Sequence, residues 1–317
     1  MKKLKIGIAG MENKNFINLK NKFKKAYFLR LDSANFFEQK DLNAIIIFTE
    51  KTYVKVLKRF FDEKKYKSFN NLSWFHFSRS GIEDYIKKIN GLNFKLTSGK
   101  TINKFNVSEH CIAILLYLSR GLGIKNKNIL YKKRPMDLYE KNALIVGGGN
   151  VGLSVAKKLK AFGLNVSVAN TKRLPSISFI HKCYLSSEIQ KVIGNFHIVI
   201  NTSSLNKKSF KMFDKKLFFK MKKNSIFINI SRGQCVNCKD LATFAKTKKF
   251  YGIGLDVFDP DPLSKNHSLR KFNNFIYTDH TAGWSENLER RYKLIEGNIK
   301  RYLKKDKLIS QHNFVKN

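Results

Sequence analysis

The stretch Asn142-Ala-Leu-Ile-Val146-Gly147-Gly-Gly-Asn-Val-Gly152 decides the fold of this chain. The apolar residues up to Val146 are typical of a buried strand, and the pattern over Leu153–Phe162 is helical. Glycines at 147, 149 and 152 stand between these two elements. Because a strand, a glycine-rich turn and a helix follow one another directly, the stretch predicts a dinucleotide-binding turn. The alternative is an ordinary tight turn between a strand and a helix.

Each glycine of this turn has a physical task in a dinucleotide site. Gly147 permits the tight turn, Gly149 lets the backbone approach a pyrophosphate, and Gly152 lets the helix pack closely on the strand. The N–H groups at the start of the helix, at Asn150 and Val151, are then expected to bind the phosphates.

Strands and helices alternate along most of the chain, which predicts parallel sheets with helices on both faces. A helix with one apolar stripe is predicted over Asn106–Arg120. We therefore predict an α/β fold whose central part is a Rossmann-type doubly wound dinucleotide-binding domain. The other predicted strands are Lys3–Ala9, Ala44–Thr49, Leu72–Phe77, Asn165–Ala169, His197–Asn201, Ile226–Ile230, Gly252–Asp256 and Phe275–Thr278.

The residues after the second strand of the central domain indicate which nicotinamide cofactor it binds. An acidic side chain is expected there for the ribose 2′-hydroxyl of NAD(H), but the chain has Asn170. Thr171, Lys172 and Arg173 follow, and a hydroxyl with two cations suits a 2′-phosphate. The sequence therefore favours NADP(H) over NAD(H). The alternative is that Lys172 and Arg173 are two more solvated charges.

The charge balance is the other unusual feature of the sequence. Lysine and arginine total 62 against 23 aspartate and glutamate, which gives a net charge of +39. Such a charge suggests a nucleic-acid partner. However, the lysines are scattered and form no single stripe, so we interpret them as a solvated surface and expect no specific nucleic-acid binding. A nonspecific nucleic-acid face remains the alternative.

Several classes of protein are excluded by composition. The longest apolar runs are far shorter than the roughly 18 residues that a membrane span needs, and the N-terminal apolar run is too short for a signal peptide. Four cysteines do not make a disulfide scaffold. Cys235 and Cys238 form a C-x-x-C pair without two further zinc ligands, so we expect no metal. These features predict a soluble, cytoplasmic protein without a membrane partner.

Five motifs, taken in order, resemble the D-isomer-specific 2-hydroxyacid dehydrogenase family. The resemblance covers residues from about 72 to 303 and is more specific than any single motif. The matching stretches are Asn106-Val-Ser-Glu-His110, Gly147–Gly152, Asn229-Ile-Ser-Arg-Gly233, Leu255-Asp-Val-Phe258 and Thr278-Asp-His-Thr-Ala-Gly283.

The resemblance implies a chain of two domains. A flavodoxin-like substrate domain is expected at residues 1–98 and 286–317, and the NAD(P)-binding Rossmann domain at 99–285. The active site is expected in the cleft between them. The helix after Asn106 is the element through which such proteins dimerise, so a homodimer is implied. Few residues follow the final motif, and we expect no C-terminal regulatory domain.

The resemblance also assigns the catalytic residues. Arg232 suits the substrate because its planar guanidinium binds a carboxylate with two hydrogen bonds and polarises the ketone. His280 suits a proton donor near neutral pH. The family's glutamate, which orients this histidine, falls on Asp261, and Asp259 is the alternative partner.

Other residues are assigned to binding by the same resemblance. Asp256 resembles the residue that contacts the nicotinamide carboxamide, and Ser203 and Ser231 fall at cofactor-binding positions. Ser80 and Gly81 resemble the loop whose N–H groups hold the substrate carboxylate.

Two functions follow from these expectations. The first is hydride transfer between a nicotinamide cofactor and a small D-2-hydroxy acid or 2-oxo acid, the usual classes being glyoxylate, hydroxypyruvate and phosphoglycerate. The alternative is a catalytically weakened NAD(P)-binding sensor, akin to corepressors of the same fold. It is suggested by two departures from the family pattern: Asp261 is one methylene shorter than glutamate, and Asp279 replaces the usual proline.

Overall fold

The structure is a computed structural model that describes residues 3–49, 53–82, 85, 93–123, 134–247, 249–272, 274–285 and 288–312. The chain divides into two compact units. The first comprises Met1–Asn103 and Ser285–Asn317, and the second comprises Lys104–Trp284.

The first unit contains, among its described residues, a five-stranded parallel sheet. The strands are β1 (Leu4–Ala9), β2 (Ala26–Leu31), β3 (Ala44–Ile47), β4 (Trp74–Phe77) and β5 (Lys95–Ser98). The strand order is β2-β1-β3-β4-β5, which is the flavodoxin-like doubly wound order. The helices are α1 (Asn13–Lys22), α2 (Val54–Asp62) and, after the second unit, α8 (Glu289–Leu303), with a 3₁₀ turn at Lys65–Ser68.

Apolar side chains cover both faces of this sheet, which is why its central strands are uninterrupted apolar runs. Phe60 and Phe61 of α2 pack on one face against Phe75 and Phe77. The other face packs against Ile295 and Ile299 of α8 and includes Ile6, Ile8, Ile46 and Trp74.

The second unit contains, within the described ranges, a seven-stranded parallel sheet. Its strands are β6 (Asn142–Val146), β7 (Asn165–Asn170), β8 (Lys182–Leu185), β9 (Ile198–Asn201), β10 (Ser225–Asn229), β11 (Phe250–Leu255) and β12 (Phe275–Tyr277). The strand order is β12-β11-β10-β9-β6-β7-β8. Its helices are α3 (Lys104–Arg120), α4 (Asn150–Ala161), α5 (Ile189–Val192), α6 (Lys215–Lys220) and α7 (Cys238–Lys246). Short 3₁₀ turns lie at Ser186–Glu188, Ile193–Asn195, Gly233–Cys235 and Ser268–Lys271.

The order of this sheet reverses between β6 and β9, with β7 and β8 on one side of β6. This is the Rossmann arrangement, in which ligands bind beyond the carboxyl ends of the strands at the reversal. Parallel strands bring those ends to one edge, so Val146, Asn170, Asn201, Asn229 and Leu255 end there together.

The predicted α/β class is confirmed, with a Rossmann-type sheet and a flavodoxin-like sheet. The sequence analysis missed β2, β5 and β8. It also began α4 at Leu153, whereas the helix begins at Asn150. In the described part of the chain, no helix has the length and apolar character needed to cross a membrane.

Candidate active site and cofactor site

The glycine-rich turn between β6 and α4 has the steric properties of a phosphate-binding turn. Gly147 has φ +109°, a left-handed conformation, and a Cβ there would lie 2.7 Å from the backbone nitrogen of Ser203. A Cβ at Gly152 would lie 1.9 Å from the carbonyl oxygen of Gly147. At Gly149, by contrast, a Cβ would meet no atom within 4 Å. Of the three glycines, Gly149 is therefore the one whose backbone has free space in front of it for a ligand.

A cavity of about 760 Å³ lies in front of this turn. It is within the size range of small-molecule and cofactor sites. Its described lining residues include no aspartate or glutamate, whereas Lys191, Lys208 and Lys220 are among them. The lining also includes Gly147, Gly148, Gly149, Asn170, Thr171, Ser186, Ser187 and Ser203. A dinucleotide, whose pyrophosphate is anionic and whose ribose offers hydroxyls, fits these residues.

The four residues predicted to select the cofactor differ in their contacts. The Asn170 side chain accepts a hydrogen bond from the Gly148 N–H at 3.3 Å and donates one to the Lys172 carbonyl at 3.1 Å. Thr171 lines the cavity. Arg173 donates to the Cys183 carbonyl at 3.1 Å and lies 3.5 Å from the Glu188 carboxylate. The Arg173 guanidinium thus already contacts residues of its own unit. Neither Lys172 nor Arg173 lines the cavity.

Two buried asparagines, which the sequence analysis did not single out, hold the neighbouring loops. Asn201 ends β9, and its side-chain oxygen accepts from the N–H and hydroxyl of Ser203 at 3.1 and 2.7 Å. Asn229 ends β10, accepts from Asn201 Nδ2 at 3.0 Å and from the Ser231 N–H at 3.2 Å. Asn229 also donates to the Arg232 carbonyl at 3.1 Å. Ser203, Ser231 and Arg232 are therefore fixed by one amide pair.

The loop that carries Arg232 also packs against the loop that follows β11. A Cβ at Gly233 would lie 1.6 Å from the Phe258 carbonyl oxygen, so only glycine permits this approach. The Arg232 side chain is half-buried and donates to the Ser231 carbonyl at 2.7 Å.

The imidazole of His280 faces the carboxylate of Asp261. Nδ1 of His280 lies 3.0 Å from Oδ2 of Asp261. The two side chains are 49% and 36% exposed, so both remain accessible to a bound substrate. Asp259, the alternative partner, lies beside Cys238, whose thiol is hydrogen-bonded to the Asp259 backbone. The geometry leaves Nε2 of His280 for proton transfer.

The backbone of His280 is in the left-handed region, with φ 55°. A side chain other than glycine persists there only where neighbours fix it. The His280 N–H donates to the Asp256 carbonyl at 2.8 Å and to the Thr278 carbonyl at 3.0 Å. Asp256 therefore fixes the backbone on which His280 stands.

The carboxylate of Asp256 holds the same loop. It is almost wholly buried and accepts from the Thr278 hydroxyl at 2.6 Å and from the Thr281 N–H at 2.9 Å. The Ala282 N–H lies 3.2 Å from both carboxylate oxygens. His110 of α3 contacts the Thr278 hydroxyl through Nε2 at 2.8 Å. Neither Thr278 nor His110 was assigned to the catalytic or binding site from the sequence.

Ser80 and Gly81 belong to the first unit. Ser80 donates to the Gly99 carbonyl at 3.3 Å and accepts from Asn103 Nδ2 at 3.1 Å. Their assignment to the substrate carboxylate stays a prediction.

Comparison with known proteins identifies relatives of this chain. Residues 114–282 match the family model for the D-isomer specific 2-hydroxyacid dehydrogenase, NAD binding domain. The chain is 28% identical over 160 residues to a glyoxylate reductase of Thermofilum pendens, covering 50% of this chain and 47% of that protein. It is 30% identical over 156 residues to the human glyoxylate reductase/hydroxypyruvate reductase, covering 49% and 47%. These matches span about half the length of the curated relatives.

The fold also matches solved structures over nearly its whole length. The apo D-mandelate dehydrogenase of Rhodotorula graminis superposes with a TM-score of 0.84 at 16% identity, covering 99% of both chains. At this identity, the likeness is one of fold.

Proposed function

Because the chain belongs to the D-isomer specific 2-hydroxyacid dehydrogenase family, we propose that it transfers a hydride between a nicotinamide cofactor and a small D-2-hydroxy acid or 2-oxo acid. The family resemblance read from the motifs is thereby confirmed. The observation that carries the proposed activity is the 3.0 Å contact between His280 and Asp261. This contact orients the imidazole of His280. The loop of His280 lies at the carboxyl ends of the strands, in the same unit as the cavity that fits a dinucleotide.

Three side chains divide the proposed chemistry between them. When bound, the nicotinamide exchanges a hydride with the substrate C2 carbon. Arg232 binds the substrate carboxylate and draws electron density from the ketone oxygen. His280 Nε2 donates a proton to that oxygen as the alcohol forms, and it accepts the proton in the reverse direction. Asp261 accepts a hydrogen bond from the Nδ1–H group of His280 and stabilises the charged imidazole.

The residues that would hold the cofactor are those around the cavity. The turn from Gly147 to Gly152 and the N–H groups at the start of α4 suit the pyrophosphate. Asn170 and Thr171 suit the adenosine ribose, and Ser203, which also lines the cavity, accepts a hydrogen bond at its carbonyl from the hydroxyl of Ser231, the residue before Arg232.

We propose a preference for NADP(H) within this site. The support is the amide at Asn170, where a carboxylate would repel a 2′-phosphate, together with Thr171 and three lysines among the lining residues. Arg173 contributes less than its sequence position suggests, because its guanidinium already contacts Cys183 and Glu188.

We also propose a homodimer formed through α3. Phe105, Glu109 and Ala113, spaced four residues apart, are exposed on one face of this helix in the single chain. Light scattering coupled to size exclusion measures the mass directly, and Phe105→Lys is expected to shift a dimer toward monomer. A monomeric parent protein contradicts the proposal.

The activity is tested by a turnover screen. The purified chain is mixed with NADPH or NADH and with glyoxylate, hydroxypyruvate or phosphohydroxypyruvate, and cofactor oxidation is followed by absorbance. We expect turnover with at least one acid. His280→Ala is expected to abolish it while cofactor binding, measured by fluorescence, is retained. Tight cofactor binding without turnover on any acid contradicts the enzyme and favours the NAD(P)-binding sensor.

A further inference from the structure

A hydrogen-bonded chain links helix α3 to the loop that carries His280. His110 Nε2 lies 2.8 Å from the Thr278 hydroxyl, and that hydroxyl lies 2.6 Å from Asp256 Oδ1. All three residues belong to the second unit. His110 Nε2 is also 3.5 Å from Asp256 Oδ1, close to the carboxylate but too far for a good hydrogen bond.

The direction of each hydrogen bond follows from the available protons. A hydroxyl carries one proton, and the short contact with the acceptor-only carboxylate of Asp256 takes it. Thr278 therefore accepts from His110, which must carry a proton on Nε2. In a chain with this direction, each bond polarises and strengthens the next.

The far end of this chain is the turn of the proposed active site. The Asp256 carboxylate accepts from the Thr281 and Ala282 N–H groups, and the Asp256 carbonyl accepts from the His280 N–H. The loop from Thr278 to Ala282 thus wraps around one buried carboxylate. His280 stands in the middle of the loop, in a backbone conformation that needs such support.

We propose that His110 is a positioning residue: through Thr278 it fixes the Asp256 carboxylate and hence the orientation of His280. Its catalytic consequence rests on the function proposed above. His110 does not contact the reacting atoms in this assignment; it supplies a directed N–H from a long helix to the start of the loop. The sequence alone does not predict this role, because nothing in the motif that ends at His110 shows that α3 faces Thr278.

Two variants separate the hydrogen bond from the volume of the ring. His110→Leu fills space but removes the donor, whereas His110→Gln retains an N–H donor. His197→Leu is the matched control, because His197 is another half-buried histidine of the same unit whose Nδ1 accepts from the Asn142 N–H at the opposite edge of the sheet.

The first measurement is amide hydrogen exchange of Thr281 and Ala282 in the cofactor-free protein. We expect about 10-fold faster exchange in His110→Leu, because the carboxylate that accepts both N–H groups loses its support. Core amides such as that of Ile228 are expected to keep their rates, and His110→Gln is expected to restore most of the protection. The proposal is overturned if exchange at Thr281 and Ala282 is unchanged in His110→Leu. It is also overturned if His110→Gln loses as much protection at these amides as His110→Leu does.

The second measurement is turnover, which separates this proposal from the proposed activity. We expect kcat to fall about 10-fold in His110→Leu, since small misplacement of a catalytic group lowers the rate steeply. The cofactor KM is expected to stay close to that of the parent, and His110→Gln to recover kcat. An unchanged kcat in His110→Leu contradicts the positioning role. A parent protein without turnover contradicts the proposed function instead, and the exchange rates then decide the role of His110.

Discussion

His280 and Asp261 are joined by a 3.0 Å contact between Nδ1 and Oδ2. The chain has an aspartate where the family pattern has a glutamate, and the shorter side chain still reaches the ring. The loop that follows β11 thus places the Asp261 carboxylate within hydrogen-bond distance of His280. The departure that suggested a weakened site therefore leaves the acid–histidine contact intact.

The first prediction concerns this contact. Asp261→Asn is expected to lower kcat about 100-fold, because the neutral amide no longer stabilises the charged imidazole during proton transfer. Steady-state kinetics with the best substrate of the screen measures the effect. Asp259→Asn is the control, since Asp259 lies beside Cys238, and it is expected to change kcat little. Equal losses in the two variants would disprove the assignment of Asp261.

The second prediction concerns cofactor choice. Asn170→Asp places a carboxylate at the end of β7, where it repels a 2′-phosphate, and is expected to raise the KM for NADPH about 10-fold. The KM for NADH is expected to fall. Asn165→Asp adds the same charge at the start of β7, at the opposite edge of the sheet, and is the matched control. A parent enzyme that prefers NADH contradicts the proposed preference.

The third prediction separates binding from folding within the glycine-rich turn. Gly149→Ala is expected to leave the unfolding temperature unchanged, because its Cβ meets no atom within 4 Å. The same methyl group obstructs a pyrophosphate and is expected to weaken cofactor binding about 10-fold. Gly152→Ala drives its Cβ into the Gly147 carbonyl and is expected to destabilise the fold by about 2 kcal/mol. Thermal unfolding and cofactor titration test both; equal stability of the two variants would contradict the packing argument.

The fourth prediction concerns the stability of the first unit at low pH. Burial, assisted by Arg291 and His312, lowers the pKa of His76 to about 3. The unfolded chain binds a proton at this histidine below its ordinary pKa of 6.5, whereas the folded chain does not. The contribution of the neutral His76 side chain to the stability of the folded chain is therefore complete above pH 6.5 and is lost as the pH falls toward 3.

Denaturant unfolding across that range measures the loss. His76 alone is expected to lower the free energy of unfolding by about 1 kcal/mol for each unit that the pH falls below 6.5. His76→Gln keeps an acceptor for Thr97 but does not titrate, so its dependence on pH is expected to be shallower. The exposed His181→Gln is the control. An identical slope in His76→Gln and in the parent protein would refute the prediction.

Much of the fold could be predicted from the sequence because its signals are local. The run from Asn142 to Gly152 contains a complete strand and turn, and β3 is a purely apolar run. The missed strands lack such patterns. β8 is the edge strand of its sheet with no fully buried residue, and β5 is a short strand that includes a lysine, a threonine and a serine. Edge and short strands are set by pairing with their neighbours, which the sequence does not display.

The candidate site was predictable only where its residues lie in motifs. Arg232, Asp261 and His280 were assigned by resemblance, and the structure brings Asp261 and His280 into contact. The hydrogen bond between Asn201 and Asn229 joins residues 28 apart in the chain, and the contact between His110 and Thr278 joins residues 168 apart. Nothing in the sequence around a buried asparagine shows which distant loop it holds. The engagement of Arg173 with Glu188 was hidden for the same reason.

The position of α8 has a consequence for how the protein is synthesised. Ile295 and Ile299 of α8 cover the face of the first sheet that contains Ile6, Ile8 and Trp74. The ribosome makes this helix only after the whole second unit. While the later unit is already complete, Leu19 of α1 covers part of that apolar face in the nascent chain, and the part that Ile295 and Ile299 cover is still exposed. We expect that face to be the surface that chaperones bind on the nascent chain, and that α8 releases them when it docks.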